Sequence, residues 1–357
     1  MTATDDGALL GDRTGQLFIA HGSTIIEVAG GDARPGTQLT TDHLFQCWCL
    51  TKPLLALAAH ELHARHDVDL AESLRVVGRW FPGMTDATGT FLDALCHDAG
   101  LVEPKASQFV FSSPAARPSL LDKIGVTAPL AAYSELSAWL LVQWLIEQST
   151  HEAADLLISA MMLEPLVLDD SIHLTMDRHT YRSERDRIAT YSSERRGAAI
   201  PWLHDTTESF ATLCSPCLGG YVTAGAIGRL FIALLRLHED GASPLLIGQE
   251  ALTSGLAYRR GLEHDVVLDR ACDFSAGFTV GLSHHGFGHR VSQSAFGYVG
   301  WLGASFVLAD PEFDLVVARI CPRIQTDFVA VSNERRQFLD GLYSELIGPA
   351  TGDSRIA

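Results

Sequence analysis

The stretch that decides the fold is Phe45–Leu62, "FQCWCLTKPLLALAAHEL". It opens irregularly and turns into an apolar helix at Lys52-Pro53, where proline's missing N–H falls in the first turn and costs little. From Lys52 to about His66 the apolar positions recur at helical spacing. Cys47 and Cys49 flank the junction, and Lys52 follows Cys49 by three residues. Residues three apart share a helix face, so the Lys52 ammonium can approach the Cys49 sulfur and act as its base. Cys47 lies five residues from Lys52, off that face, and reads as packing.

Working outward, "QLFIA" and "TIIEV" within residues 16–30 surround His21-Gly22-Ser23, a hairpin signal. The polar link "GDARPGTQLTTD" leads from there to Phe45. Residues 70 to 240 are mostly helical pattern broken by loops, strongest at "LSAWLLVQWLIEQS" (136–149) and "AIGRLFIALLRLHE" (226–239). The polar run across 171–210, with "RSERDRIATYSSERR", reads as a solvated loop or lid. Strand patterns return at 275–283, 289–300, 301–310 and 313–322, punctuated by glycines and Asp310-Pro311. A closing helix over 333–347 starts behind Ser332 as its N-cap. The expected fold is α+β, an antiparallel sheet shared by both chain ends, flanked by terminal helices, with a helical domain inserted. Its boundaries fall at 1–69 and 241–357 for the sheet domain and 70–240 for the helical one, with a cleft between.

The chain has 357 residues, 47% hydrophobic and 19% charged, with a net charge of -17. Such an acidic balance argues against nucleic acid and anionic membrane surfaces as partners. The first residues, "MTATDDGALLGDRTG", lack a basic segment followed by an apolar one, and no apolar run approaches ~18 residues. A cytoplasmic chain with reduced thiols is expected from seven cysteines, an odd number spread widely (Cys47, Cys49, Cys96, Cys214, Cys217, Cys272 and Cys321). Cys214-x-x-Cys217 is half of a zinc pattern whose second half does not follow, and His284, His285 and His289 read as a hairpin tip. No cofactor or metal is expected.

In this order the pieces resemble the serine β-lactamase and penicillin-binding-protein superfamily, above all class C enzymes with their esterase and transacylase relatives. That family's Ser-x-x-Lys motif stands four residues after a phenylalanine; here Phe45 is followed by Cys49 and Lys52. "LDALCHDAGL" (92–101) resembles its "LLTHTSGL" segment, and "AAYSELSAWLL" (131–141) its Tyr-x-Asn motif, with Tyr133 at the tyrosine and Glu135 at the asparagine. "PCLGGYVTAGAIGRLFIALL" (216–235) resembles its glycine-rich turn and following helix. "FGYVGWLGASFVLADPE" (296–312) resembles the third-motif strand, with Tyr298-Val299-Gly300 where relatives carry His-x-Gly or Lys-Thr-Gly. The likeness runs from about residue 16 to 345.

The resemblance implies Cys49 as nucleophile, Lys52 as its base, Tyr133 as proton shuttle, and the N–H groups of Cys49 and Trp301 as the oxyanion hole. A helix start and a neighbouring ammonium favour a thiolate, and a thiol (pKa ~8.5) needs less help than a hydroxyl. Tyr298 can hydrogen-bond a substrate carboxylate or carbonyl but brings no positive charge, whereas Glu135 adds a negative one. Cys for Ser, Glu for Asn and Tyr for His or Lys argue against ordinary β-lactamase activity and for an amine-bearing substrate. A thioester is more prone to attack by amines, relative to water, than an oxyester. The expected function is therefore an acyltransferase forming an amide or ester from a small acyl donor and an amine or alcohol acceptor, in specialised, antibiotic-type metabolism. A cysteine esterase or amidase is the alternative, and an inactive binding protein with a degraded cleft is the third.

Overall fold

A computed structural model describes residues 14–102, 122–127, 131–195, 198–202, 207–257, 260–300, 304–324 and 327–348. Gly15–His21 (β1) and Thr24–Gly30 (β2) form the expected hairpin. Phe296–Val299 (β3), Phe306–Asp310 (β4) and Leu315–Ile320 (β5) complete one antiparallel sheet in the order β3-β4-β5-β1-β2. β1 pairs with β5 from Gln16↔Ile320 to His21↔Leu315, so strands from the two ends of the chain are hydrogen-bonded side by side.

Successive strand residues point to opposite faces, and both faces of this sheet are covered. Phe18, Ala20, Val316 and Ala318 share a core with the helices Lys52–Ala64 (α1), Ser137–Thr150 (α2) and Ala224–Asp240 (α3). Leu17, Ile19, Leu308 and Val317 pack on the other side against Leu339, Leu342 and Tyr343 of Phe328–Ile347 (α4). Two-sided burial explains why β5, "LVVARI", is buried at every position and hardly alternates. Each large side chain so buried contributes roughly 1.5–3 kcal/mol. α3 lies so close to the sheet that a β-carbon at Gly228 would sit 2.2 Å from the Phe18 ring.

One buried polar side chain ties this sheet to the segment before the site. Gln16, 1% exposed, donates to the carbonyls of Thr40, Thr41 and His43 at 2.8–3.0 Å and accepts from Ala224 N–H at 2.9 Å. It fixes the "TTDHLF" lead-in against both β1 and the start of α3.

The fold class holds, but several element limits differ. Residues 275–283 are not a strand: Gly277 (φ +120°) and Gly281 (φ +54°) break the pleat, leaving only single bridges of Thr279 to Phe274 and Gly297. The final helix begins at Phe328, five residues earlier than expected, because Asp327 rather than Ser332 caps it, accepting from Ala330 N–H at 2.9 Å. Its first turn exposes Phe328 and Val329, which hides it from a search for an inward apolar stripe. The stretch 171–210 is not simply a loop. Asp177 caps a helix at Arg178–Glu184, and Tyr191–Arg195 pairs antiparallel with Ala198–Trp202 and parallel with Arg323–Ile324. Among the described residues no helix is long and apolar enough to cross a membrane.

Candidate active site

Cys49 sits in a short 3₁₀ turn, Trp48–Thr51, that feeds directly into α1. The turn is held from outside. Cys47 N–H donates to the Gly220 carbonyl at 2.8 Å, and Thr51 Oγ1 donates to the Pro216 carbonyl at 3.3 Å. Trp48 adopts φ +51°, a conformation that a bulky residue takes only when its surroundings enforce it. Those surroundings include Gly219, at φ +102°, where a β-carbon would stand 2.3 Å from the Trp48 carbonyl oxygen. The glycine-rich turn at 218–220 therefore shapes the turn that carries Cys49.

Lys52, only 1% exposed, places Nζ 3.0 Å from Cys49 Sγ and donates also to the Glu135 carbonyl. The Tyr133 hydroxyl donates to the same sulfur from 3.7 Å. One sulfur thus accepts from an ammonium and a phenol. Cys49 N–H, at the head of its turn, has no acceptor among the described residues, so it is free to meet an oxyanion. Burial, and then the charges of Cys49, Tyr298 and Glu135, push the Tyr133 phenol well above its usual range. Tyr133 is accordingly a neutral O–H that gives a proton rather than a resting base.

Tyr298 is buried beside them, with its ring edge-on to Trp139 (centroids 6.1 Å). Burial and the neighbouring Cys49 also raise its phenol well above the ordinary range. Its hydroxyl makes no hydrogen bond of good geometry among the described residues. Gly300 lies against the same turn: its N–H donates to Ser305 O at 2.8 Å, and a β-carbon there would sit 3.3 Å from the Cys47 carbonyl. Trp301 lies outside the described residues. Cys49, Lys52, Tyr133, Glu135, Tyr298 and Gly300 are thus brought together. Cys47 is buried, and desolvation drives its thiol to about 12, in keeping with packing.

The sequence reading missed what holds Tyr133 and Glu135 in place. Ser134 between them is fully committed: its N–H donates to His97 Nδ1 (2.9 Å), its carbonyl accepts from Trp139 Nε1 (3.1 Å), and its Oγ accepts from Ala138 N–H (2.9 Å). The His97 ring lies tilted against Tyr133 (centroids 4.5 Å) and edge-on to Phe274 (4.6 Å). Accepting at Nδ1 puts its proton on Nε2, and burial, then Arg260 and Lys52, hold the ring neutral, well below its usual pKa. The His97 carbonyl accepts from Arg260 Nη1 at 2.8 Å, and the same nitrogen meets Asp265 Oδ2 at 2.9 Å, with both side chains fully buried. His97 lay in the quoted "LDALCHDAGL" segment and carried a signal. Arg260, in irregular chain, and Asp265, at the end of the short strand Glu263–Asp265, carried none.

Among the described residues no cluster of His, Cys, Asp and Glu could hold a metal ion. His285 is occupied with the Asp273 carbonyl at 2.7 Å, and Cys217 with Ser215 Oγ at 3.1 Å.

The Beta-lactamase family model matches residues 10–340. No curated protein matches the chain. Among solved structures it is similar to a penicillin-binding-protein homolog from Caulobacter crescentus (TM-score 0.70, 21% identity, covering 97% of this chain and 99% of that one). It is also similar to D-amino acid amidase from Ochrobactrum anthropi (0.72, 18%, covering 95% and 98%). A third is EstCE1, described as a hydrolase with promiscuous acyltransferase activity (0.69, 17%, covering 96% and 95%). At such identities these likenesses speak for the fold alone. With the family match spanning nearly all of the sequence, the chain belongs to the beta-lactamase family.

Proposed function

We propose that the protein is an acyltransferase that works through an acyl thioester on Cys49. The observation that carries this reading is the convergence of Lys52 Nζ and the Tyr133 hydroxyl on the Cys49 sulfur, at 3.0 and 3.7 Å. Sulfur attacks the carbonyl of an ester or thioester donor, and Cys49 N–H steadies the oxygen as it becomes negative, joined in the family pattern by the N–H of Trp301. The carbon–oxygen or carbon–sulfur bond of the donor breaks, and Tyr133 protonates the departing group, its proton replaced from Lys52. An amine or alcohol then attacks the thioester and yields its proton to the Tyr133–Lys52 pair as the carbon–sulfur bond breaks.

Sulfur at the nucleophile favours transfer over hydrolysis, because thioesters discriminate toward amines. Family membership supports acyl chemistry in general, and EstCE1 pairs hydrolysis with acyl transfer on this fold. The setting expected for such an enzyme is specialised metabolism, with small-molecule partners and neither nucleic acid nor membrane. The experiment is intact-mass analysis with a panel of activated thioesters, followed by product analysis with and without an amine. A single acyl adduct that vanishes in Cys49→Ala and is released faster by amine than by water is expected. An adduct that persists in Cys49→Ala sinks the nucleophile assignment, and amine-independent release makes the enzyme a hydrolase.

A further inference from the structure

Glu135 presents a carboxylate that the acyl-transfer scheme does not use. Its backbone carbonyl is bonded to Lys52 Nζ, which anchors the residue at the nucleophile, and Ser134 before it is fixed on three sides. The side chain is half-buried, and among the described residues neither a cation nor an N–H or O–H donor pairs with its carboxylate. Its charge reaches the Tyr133 phenol, which it helps to keep protonated. Tyr298, buried close to Cys49 and Tyr133, brings no charge to the site. A half-desolvated carboxylate with no partner is a standing electrostatic deficit. A cationic ligand group relieves it, and an anionic one deepens it.

We propose that Glu135 is the recognition site for an ammonium group on the acyl donor, so that the substrate class is aminoacyl esters, thioesters or amides. This rests on Cys49 as the acylated residue and names the donor for that reaction. The assignment is to the donor because an attacking amine must be neutral. An ammonium held on a carboxylate has no lone pair to attack with, so it is a handle and not a nucleophile. A donor gripped at both its ammonium and its carbonyl meets Cys49 in one orientation, which is what a productive acylation needs. The same carboxylate turns away donors with a negative charge at that position.

The test separates recognition from chemistry by measuring equilibrium binding to the Cys49→Ala protein, in which no acylation occurs. The ligands are D- and L-leucine amide and 4-methylpentanamide, the same molecule without its ammonium group. One enantiomer of the amine-bearing amide should bind about tenfold tighter or more, the scale of a charge-assisted hydrogen bond. Adding Glu135→Gln should erase that advantage while leaving 4-methylpentanamide binding unchanged. The Glu135→Gln protein should melt within about 1 °C of its parent, which shows that the fold is intact. Equal binding of the three amides, a preference that survives Glu135→Gln, or no binding of the amine-bearing amides each overturns the proposal. Failure of Cys49 to accept any acyl group defeats the acyl-transfer reading instead, and leaves the binding comparison standing.

Discussion

Replacing Arg260 by methionine tests the claim that a buried ion pair holds Tyr133 in place from behind. Arg260 and Asp265 meet at 2.9 Å with both side chains fully buried, and Arg260 also donates to the carbonyls of His97 (2.8 Å) and Cys272 (3.2 Å). Removing the guanidinium strands the Asp265 charge, whose remaining partners are the N–H groups of Val267 and Leu268 at 2.9 Å. Breaking a buried pair from one side costs about 3–5 kcal/mol. With ~2.1 cal/mol/K of unfolding entropy per residue, a chain of 357 residues shifts its Tm by roughly 1.3 °C per kcal/mol. Arg260→Met should therefore lower Tm by about 4–7 °C in scanning calorimetry. Asp265→Asn keeps an oxygen for Val267 and Leu268 while removing the charge, so the double variant should be less destabilised than the two singles predict, by about 1–3 kcal/mol. Acylation should slow as well, since the His97 carbonyl loses the group that fixes it under Tyr133. A Tm change below about 1 °C, or strictly additive single effects, would refute the reasoning.

Iodoacetamide should alkylate Cys49 ahead of Cys47, Cys217 and Cys272, because burial holds Cys47 at about 12 and Cys217 and Cys272 at about 11; Lys52→Met should slow that labelling, and peptide mass mapping reads both results. Tyr133→Phe should lower kcat/KM for acylation by about 10²-fold or more with Tm nearly unchanged, since a positioned proton donor is worth that much and the ring contact with His97 survives. Acid should destabilise the fold through its buried neutral histidines: His60 and His285 are held at about 4 and about 3 by burial, against about 6.5 when unfolded. Both contribute stability that is complete above pH ~6.5 and is lost as pH falls toward their folded values, at about 1.4 kcal/mol per pH unit for each. Urea titrations from pH 7 to pH 4 measure the slope, which His60→Gln should reduce by one such increment; an unchanged slope would mean that His60 protonates freely in the folded state.

How far the sequence could be read depended on whether its signals were local. β1 and β2 announced themselves because a short turn joins two β-rich runs, and α1 because Lys52-Pro53 opens an apolar stripe. Cys49 and Lys52 are one helical turn apart, so their contact follows from spacing. Residues 275–283 misled because phenylalanine, threonine and valine there suggest a strand, while the conformations at Gly277 and Gly281 are set by packing. Packing against Ala56 is one such constraint, since a β-carbon at Gly277 would stand 2.2 Å from that methyl group. The support behind Tyr133 was unreadable for a deeper reason. Residues 97, 134, 260 and 265 meet only through tertiary folding, and an arginine in an irregular segment reads as surface until its aspartate partner is seen buried beside it.

The departures from the family's usual residues act together and not as separate losses. On the proposed reading a sulfur asks less of its base than an oxygen does, which suits a Lys52 that donates both to Cys49 and to the Glu135 carbonyl. Among the described residues the Glu135 side chain has no hydrogen-bond or ion-pair partner. Tyr298 brings no positive charge, which would otherwise compete with a cationic ligand and draw in anionic ones. On the proposed reading, the Glu135 carboxylate and the lack of a cation at Tyr298 together make the site better suited to an ammonium than to a carboxylate. Reversing only one of them should therefore do little for anionic ligands: with Tyr298→Lys alone the new ammonium would pair with the free Glu135 carboxylate, and a gain in anion affinity should require Glu135→Asn as well. Equilibrium binding of a small acyl amide bearing a carboxylate to the two single variants and the double variant decides it. A full gain from Tyr298→Lys alone would show that Glu135 does not govern the charge of the site.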